Sequence, residues 1–160
     1  MNRKIIYIPD NLVEEIHSNT IDVSGGGDKG IIDLGRLKSV LCHIQNDDYY
    51  PNFADKLTHL FFCVCKFHAF IDGNKRLAIT LSAQFLILNG YGLLAGKFIT
   101  EMENISYHVA ANSINKDLLH DLLSAFIEGE YESEELKLKI YEAISADICE
   151  TNSSDNLVEV

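Results

Sequence analysis

The chain has 160 residues, 47% of them hydrophobic, which is enough for one buried core but too little for two. Its formal net charge of −11 disfavours nucleic acid as a partner, because nucleic-acid binding depends on clustered Lys and Arg. The same charge is compatible with a nucleotide ligand, since a few local cations and a divalent metal are sufficient to hold phosphates.

The N-terminal segment, MNRKIIYIPDNLVEE, carries two cations but reaches Asp10 before a signal-like apolar run develops. No apolar run in the chain is long enough for a membrane span, so we expect a cytoplasmic location. Residues Lys4–Ile8 indicate a short strand or an extended segment that ends at Pro9. Asn11 and Glu14 then have the spacing of a capping box for the helix NLVEEIHSN.

The next segment, SGGGDKG, spans Ser24 to Gly30 and contains the letters G-x-G-x-x-G. This pattern occurs in dinucleotide-binding folds, but no strand–helix–strand unit surrounds it here, and no acid has an obvious place to bind a ribose. We therefore interpret the segment as a mobile loop.

Helical patterns dominate the rest of the chain. Asp33 is a candidate N-cap for the helix LGRLKSVLCHI, and a more hydrophobic helix runs from about Phe53 to Phe67. The segment LAITLSAQFLILNG is apolar on every face, which is typical of a buried helix that ends at Asn89-Gly90.

Three helices are predicted in the C-terminal half. Thr100 and Glu103 have capping-box spacing for ENISYHVAAN, and Asn115 is a candidate cap for KDLLHDLLSAFIEG. The segment SEELKLKIYEAISADI predicts a last amphipathic helix before a polar, frayed end. These patterns together predict a mainly α domain with minor β content.

The polar stretch HAFIDGNKR, from His68 to Arg76, lies between the two most hydrophobic helices and meets the N-terminus of the second. Free backbone N–H groups and the helix dipole favour anions at such a point. Gly73 lets a ligand approach the backbone, and the amide of Asn74 is suited to fasten the turn. Lys75 and Arg76 place two cations where the dipole disfavours them, which indicates that a bound phosphate offsets their charge.

Two further side chains of this stretch supply chemistry. Asp72 offers a hard carboxylate oxygen that suits Mg²⁺ between phosphate groups, and His68 is suited to take a proton from a hydroxyl near neutral pH. Each residue also has an ordinary structural interpretation, as a core histidine, an N-cap or part of a solvated face. A base, a metal ligand and a phosphate cradle within one turn favour a catalytic site.

HAFIDGNKR resembles the signature of the Fic/Doc family, H-x-F-x-[D/E]-G-N-x-R, and is most similar to its death-on-curing (Doc) branch. The resemblance extends over about Ile5 to Glu128 through the segments GIIDLGRLKSVL and RLAITLSAQFLILNGY. It implies that residues 1–130 form a mainly α, single-domain Fic-like helical bundle, which carries a short β-hairpin flap. Residues 131–160 would then form a C-terminal helix and a polar tail, not an independent domain.

The resemblance also assigns roles to single residues. It implies that His68 is the general base, Phe70 a core anchor and Asp72 the Mg²⁺ ligand. The flap would lie in the loop Ser24–Asp33 and hold a target segment by main-chain hydrogen bonds. The predicted phosphate-binding residues are Gly73, Asn74, Lys75 and Arg76. Lys75 and Arg76 are also predicted to be catalytic, together with His68 and Asp72. The predicted flap residues are Gly25, Gly26, Gly27, Asp28, Lys29 and Gly30.

Two departures from the AMP-transferring branch favour a kinase. That branch continues G-N-G-R-x-x-R, whereas here Lys75 stands at the second glycine and Ile79 at the second arginine. Lys75 crowds the site of the α- and β-phosphates, and the Doc branch is thought to bind the nucleotide reversed. Gly73 departs in the other direction, since Doc proteins often have alanine there. We predict transfer of the γ-phosphate of ATP to a protein hydroxyl, with an adenylyltransferase and a non-catalytic binding protein as alternatives.

The resemblance further implies a translation factor, such as an elongation factor, as the target, and a small antitoxin as the inhibitor. An internal inhibitor is the alternative. Ser124, Glu128 and Gly129 match the pattern S/T-x-x-x-E-G/N, by which some Fic proteins pair a glutamate with the motif arginine, here Arg76. The match is short enough to arise by chance, and Glu128-Gly129 fits a helix end equally well.

Overall fold

The computed structural model describes residues 3–155, with side chains up to residue 150, and contains α-helices but no strand within that range. The helices are α1 (Val13–Val23), α2 (Leu34–His43), α3 (Phe53–Lys66), α4 (Asn74–Leu88), α5 (Gly92–Ala110), α6 (Lys116–Glu128) and α7 (Glu134–Asp155). The prediction of a mainly α chain is therefore confirmed. None of these helices is long and apolar enough to cross a membrane.

The core forms around α3 and α4, the two helices that flank the motif. Helix α4 packs against α1, α3 and α5, and its side chains Leu77, Leu81 and Phe85 are fully buried. Leu60 and Phe61 of α3 are fully buried as well. The loop between α3 and α4 is consequently held at both ends by helices that the core fixes in place.

Two of the predicted helix caps are confirmed, and the one at Asn11 is wrong. Asp33 Oδ1 accepts from the N–H of Arg36 at 3.4 Å, and Asn115 Oδ1 accepts from that of Leu118 at 2.8 Å. Asn11 caps nothing, because the chain makes a 3₁₀ turn over Asp10–Leu12 and α1 then begins without a side-chain cap.

The capping box predicted at Thr100 and Glu103 is also wrong. Helix α5 runs through both residues, and Thr100 Oγ1 donates to the carbonyl of Gly96 within the helix at 3.3 Å. The buried residues Phe98 and Met102 lie on either side of Thr100, so burial of one helix face continues across the predicted start. Tertiary packing overrides the local capping signal here.

The predicted β-hairpin flap does not form. Residues 24–33 make a loop whose only ladder contact is a single antiparallel bridge between Ile31 and Phe70. Gly25, Gly26 and Gly27 have φ angles of 100°, 83° and 148°, which strands do not adopt. The family resemblance implies a paired flap here, but three consecutive glycines with positive φ prevent a ladder.

At the N-terminal end the extended alternative is found, whereas the C-terminal end departs from prediction. The segment at residues 4–8 is extended and not a strand, and Asn89 holds it by accepting from the N–H of Ile6 and donating to its carbonyl, each at 2.8 Å. Helix α7 continues to Asp155, into the segment predicted to be frayed. Residues 156–160 of the predicted polar tail lie outside the described part of the chain.

A buried lysine inside α3 leads to a first prediction. Lys56 is fully buried, and its Nζ donates to the carbonyl of Ile44 and to Asp47 Oδ1, both at 2.7 Å. We expect Lys56→Met to lower the free energy of unfolding by about 1–3 kcal/mol, because the buried Ile44 carbonyl loses its donor. Urea unfolding measures the change, and the exposed Lys38→Met is the control. Equal stability of Lys56→Met and the wild type would contradict this role.

Candidate functional site

The motif occupies the turn between α3 and α4 and is anchored by its aromatic residue. Phe70 is 1% exposed and lies in the core, as predicted. The amide of Asn74 fastens the turn as predicted, because Oδ1 accepts from the N–H of Phe70 at 3.1 Å and Nδ2 donates to its carbonyl at 2.8 Å. Gly73 has a φ of 80° and is the N-cap of α4. The turn is therefore rigid, and it presents the N-terminus of α4 on its outer side.

Asp72 lies half-exposed at this helix end and is held in one orientation. Its Oδ1 accepts from the N–H of Gly73 at 2.6 Å, and its Oδ2 lies 3.2 Å from Nη2 of Arg76. The Gly73 N–H, the charge of Arg76 and the N–H of Asp28 together keep the pKa of Asp72 below its ordinary value. The residue is thus an ionised, accessible carboxylate near neutral pH.

The Asp72 carboxylate suits Mg²⁺ that is bound together with substrate phosphates better than a metal ion that is bound by protein ligands alone. Within the described residues, no group of three or more His, Cys, Asp or Glu side chains could hold a metal ion. Mg²⁺ is commonly held by one or two carboxylates together with substrate phosphates and water. Asp72 is the residue of the motif that could hold Mg²⁺ in this way.

Arg76 is engaged by the loop that precedes α2. Its Nη1 donates to Ser24 Oγ and to the carbonyl of Gly26, each at 2.9 Å, and to the carbonyl of Ser24 at 3.3 Å. A Cβ atom at Gly27 would lie 2.3 Å from Asp72 Oδ2, so only glycine allows the loop to close this far. A phosphate that binds Arg76 must exchange with these loop oxygens.

The other predicted flap residues line the same side of the motif. Ile71 N–H donates to the carbonyl of Gly30 at 2.9 Å, while Lys29 pairs with Asp22 at 2.6 Å and Asp28 Oδ1 accepts from the N–H of Gly30 at 2.7 Å. The N–H and carbonyl of Ile31 have no hydrogen-bond partner among residues 3–155. They form a free backbone edge next to the motif.

His68 and Lys75 are both exposed, one at the start of the turn and one in the first turn of α4. A cavity of about 540 Å³ opens beside Lys75 and Arg76, between α4 and α5. The other residues that line it are Ile79, Thr100, Glu103, Asn104, Ser106 and Tyr107. Cations, amide and hydroxyl groups and an exposed aromatic ring suit a nucleotide. The sequence did not indicate that these α5 residues line a cavity. With a helix start expected at Thr100, the continuous helix face that lines the cavity could not be recognised.

The segment with the inhibitory pattern lies elsewhere. Glu128 is the last residue of α6, and Gly129 caps that helix with a φ of 82°. Among the side chains up to residue 150, Arg76 pairs with Asp72 and not with Glu128. The described structure therefore does not bring the predicted inhibitory pair together.

A second prediction follows from this placement. We expect Glu128→Gly to leave nucleotide affinity and transfer rate within about twofold of the wild type, because exposed groups without a specific partner contribute little. Calorimetry with ATP and a transfer assay measure the two quantities, and Glu130→Gly is the matched control. A gain of several-fold in Glu128→Gly alone would establish self-inhibition.

Sequence reasoning missed His17, which α1 places directly beneath the motif. The residue is 1% exposed, and its Nε2 lies 2.8 Å from the carbonyl oxygen of Asp72. The available signal was its spacing, because the buried residues Val13, His17, Thr20 and Ile21 recur at the period of a helix face.

Comparison with known proteins agrees with the motif. Residues 7–86 match the family model described as the Fic/DOC family, and this range includes the whole of HAFIDGNKR. The chain is 30% identical over 108 residues to Toxin Doc of Mycolicibacterium smegmatis (strain ATCC 700084 / mc(2)155), which covers 65% of this chain and 83% of that protein. The chain matches no solved structure.

Proposed function

The chain belongs to the Fic/DOC family, and from that premise we propose that it is a Doc-like toxin that transfers the γ-phosphate of ATP to a hydroxyl of a target protein. The observation that carries the proposal is Lys75, which is exposed beside Arg76 at the position where the AMP-transferring signature has glycine. The relative named Toxin Doc supports the same branch.

The mechanism assigns one task to each motif residue. His68 accepts the proton of the target hydroxyl as its oxygen attacks the γ-phosphorus, and the bond from that phosphorus to the β–γ bridging oxygen breaks to release ADP. Asp72 would hold Mg²⁺, which neutralises charge on the phosphates when bound. Arg76 and Lys75 stabilise the charge that develops on the transferred group and on the leaving oxygen.

Positioning accounts for most of the rate in such a transfer, because the transition state needs little covalent chemistry from the protein. The rigid turn fixes Asp72 relative to the N-terminus of α4, where free N–H groups favour phosphate oxygens. The cavity between α4 and α5 is large enough to receive the nucleoside part of ATP. These features support a nucleotide substrate.

The choice of the γ-phosphate depends on two side chains. Lys75 adds bulk and charge where the α- and β-phosphates would approach the backbone, and Ile79 is buried and offers no cation to the γ-phosphate in the orientation used for AMP transfer. A reversed nucleotide avoids both difficulties. Gly73 keeps the adenylyltransferase alternative open, since it matches the AMP-transfer signature.

A third prediction tests this choice. We expect Lys75→Gly to lower γ-phosphate transfer several-fold and to allow AMP transfer, because it reopens the backbone at the start of α4. Lys75→Ala is the matched control, since it removes the charge but keeps a Cβ atom, and it should lose γ-transfer without gaining AMP transfer. Unchanged γ-transfer in Lys75→Gly would show that this lysine does not select the chemistry.

The target and the inhibitor are proposed from the family. We propose a translation factor, such as an elongation factor, as the cytoplasmic target, with its modified segment extended along the free edge at Ile31. We propose a separate small antitoxin as the inhibitor, since Arg76 has no contact with Glu128 among the described side chains.

The test uses ATP labelled separately at the α and γ positions, incubated with the purified protein, Mg²⁺ and cell extract. Protein-bound label only from the γ position supports the kinase. Label only from the α position would replace it with the adenylyltransferase, and absence of label from both would favour a non-catalytic binding protein.

A further inference from the structure

His17 of α1 is a buried neighbour of the motif that the proposed mechanism does not use. Its ring stacks on that of Phe70 with a centroid distance of 3.6 Å and an interplanar angle of 9°. Its Nε2 lies 2.8 Å from the carbonyl oxygen of Asp72. A carbonyl oxygen only accepts, so Nε2 carries the proton and donates it to this bond.

The bond acts on one peptide unit that also controls the carboxylate. The carbonyl of Asp72 and the N–H of Gly73 belong to the same planar peptide group and point in opposite directions. His17 donates to the carbonyl on one side, and on the other side the N–H donates to Oδ1 of Asp72 at 2.6 Å. A rotation of this peptide plane would therefore break the bond to His17 and release the carboxylate together.

The surroundings leave this peptide little alternative. Gly73 has a φ of 80°, and a Cβ atom there would lie 3.4 Å from His17 Nε2 and 2.4 Å from Ile21 Cδ1. The backbone at Gly73 thus rests directly on α1. Glycine is free to adopt many backbone conformations, so Gly73 by itself does not fix the Asp72–Gly73 peptide plane. The orientation of this plane therefore depends on the contacts with α1.

We infer that His17 is a positioning residue, which fixes the Asp72–Gly73 peptide plane by its Nε2–H bond and, through the Gly73 N–H that donates to Oδ1, holds the Asp72 carboxylate in the orientation that binds Mg²⁺. The inference rests on the proposed nucleotide site. It does not depend on which phosphate is transferred, because both reactions require Mg²⁺ and ATP at the same carboxylate.

Two substitutions separate the hydrogen bond from packing. His17→Phe keeps an aromatic ring for the stack on Phe70 but removes the donor, whereas His17→Gln keeps an N–H donor at similar reach and removes the stack. Thr20→Val is the matched control, since Thr20 is buried on the same face of α1 and its hydroxyl donates within the helix to the carbonyl of Ile16, at 2.7 Å.

The experiment measures ATP affinity with and without Mg²⁺ by calorimetry, the transfer rate with either label, and the melting temperature of each variant. We expect His17→Phe to lose about tenfold or more in Mg²⁺-dependent affinity and in transfer rate, as replacement of residues behind a metal ligand commonly does. His17→Gln should recover most of both, and Thr20→Val should match the wild type. Wild-type values in His17→Phe, or an equal loss in His17→Gln, would overturn the inference.

The wild type provides a test that needs no substitution, in case His17→Phe does not fold. If the hydrogen bond from His17 to the Asp72 carbonyl strengthens the Mg²⁺·ATP site, binding of Mg²⁺·ATP must strengthen that hydrogen bond by the same factor. We expect Mg²⁺·ATP to slow hydrogen exchange of the His17 Nε2–H several-fold, and unchanged exchange would overturn the inference. Label from the α position alone would reject the kinase and leave both tests of His17 valid.

Discussion

Replacement of His68 by alanine is expected to lower the transfer rate by at least about 100-fold, because a positioned general base contributes about that much or more. The fold should be unaffected, since His68 is exposed in the turn before α4 and outside the core. The measurement is the initial rate of label transfer at saturating ATP, with the melting temperature recorded for each protein.

The exposed His43 at the end of α2 provides the matched control. His43→Ala removes the same side chain away from the motif and should transfer label at the wild-type rate. Near-normal turnover in His68→Ala would mean that another group takes the proton, and the mechanism proposed here would be wrong.

Asp72→Asn is expected to reduce transfer by a similar factor through loss of the proposed metal ligand. Asparagine keeps an oxygen that can accept from the N–H of Gly73, so the turn should remain folded. The deficit should be largest at low Mg²⁺, and a titration of Mg²⁺ at fixed ATP measures it. Asp28→Asn, on the loop beside the motif, is the control and should retain the wild-type Mg²⁺ dependence. A wild-type response in Asp72→Asn would remove this residue from the metal site.

The pH dependence of the reaction should not report Asp72. Its pKa is lowered from the ordinary value of 3.8 by the Gly73 N–H, by Arg76 and by the Asp28 N–H. Because the shift is downward, the carboxylate stays ionised as the pH falls from neutral to below its ordinary pKa. A loss of activity between neutral pH and that value therefore has to come from a group other than Asp72.

The sequence predicted those parts of the site that local chemistry determines. The polar turn between two apolar helices, its Asn74 fastening and the caps at Asp33 and Asn115 all depend on residues a few positions apart. Such contacts follow from spacing alone, because a side chain and the backbone near it share one turn. This is why the motif was visible without the fold.

The sequence could not predict contacts that depend on packing between distant elements. His17 bonds to Asp72 from 55 residues away in the sequence, and Ser24 bonds to Arg76 from 52 residues away. Lys56 is a charged residue in a helix, yet the core surrounds it. In each case the partner is fixed by tertiary structure, and no local pattern carries that information.

The two errors, at the hairpin and at the start of α5, have different physical causes. The expected hairpin failed because one bridge at Ile31 and Phe70 is the only pairing that the loop makes, and the expected helix start at Thr100 failed because the buried face of α5 continues through it. Local signals for turns and caps compete with burial, and burial prevailed in the second case. In the loop that was expected to be a hairpin, Gly27 allows the backbone to pack closely against Asp72 and Arg76, and the glycines do not form a turn between strands.

The most direct test of the account is the mass of the modified target residue. The target is captured from cell extract after incubation with the protein, ATP and Mg²⁺, and the modified peptide is identified by mass spectrometry. The account predicts a phosphoryl group on a Ser, Thr or Tyr hydroxyl, formed by the wild type and absent with His68→Ala. An adenylyl group on that hydroxyl, or a phosphoryl group formed equally well by His68→Ala, would contradict it.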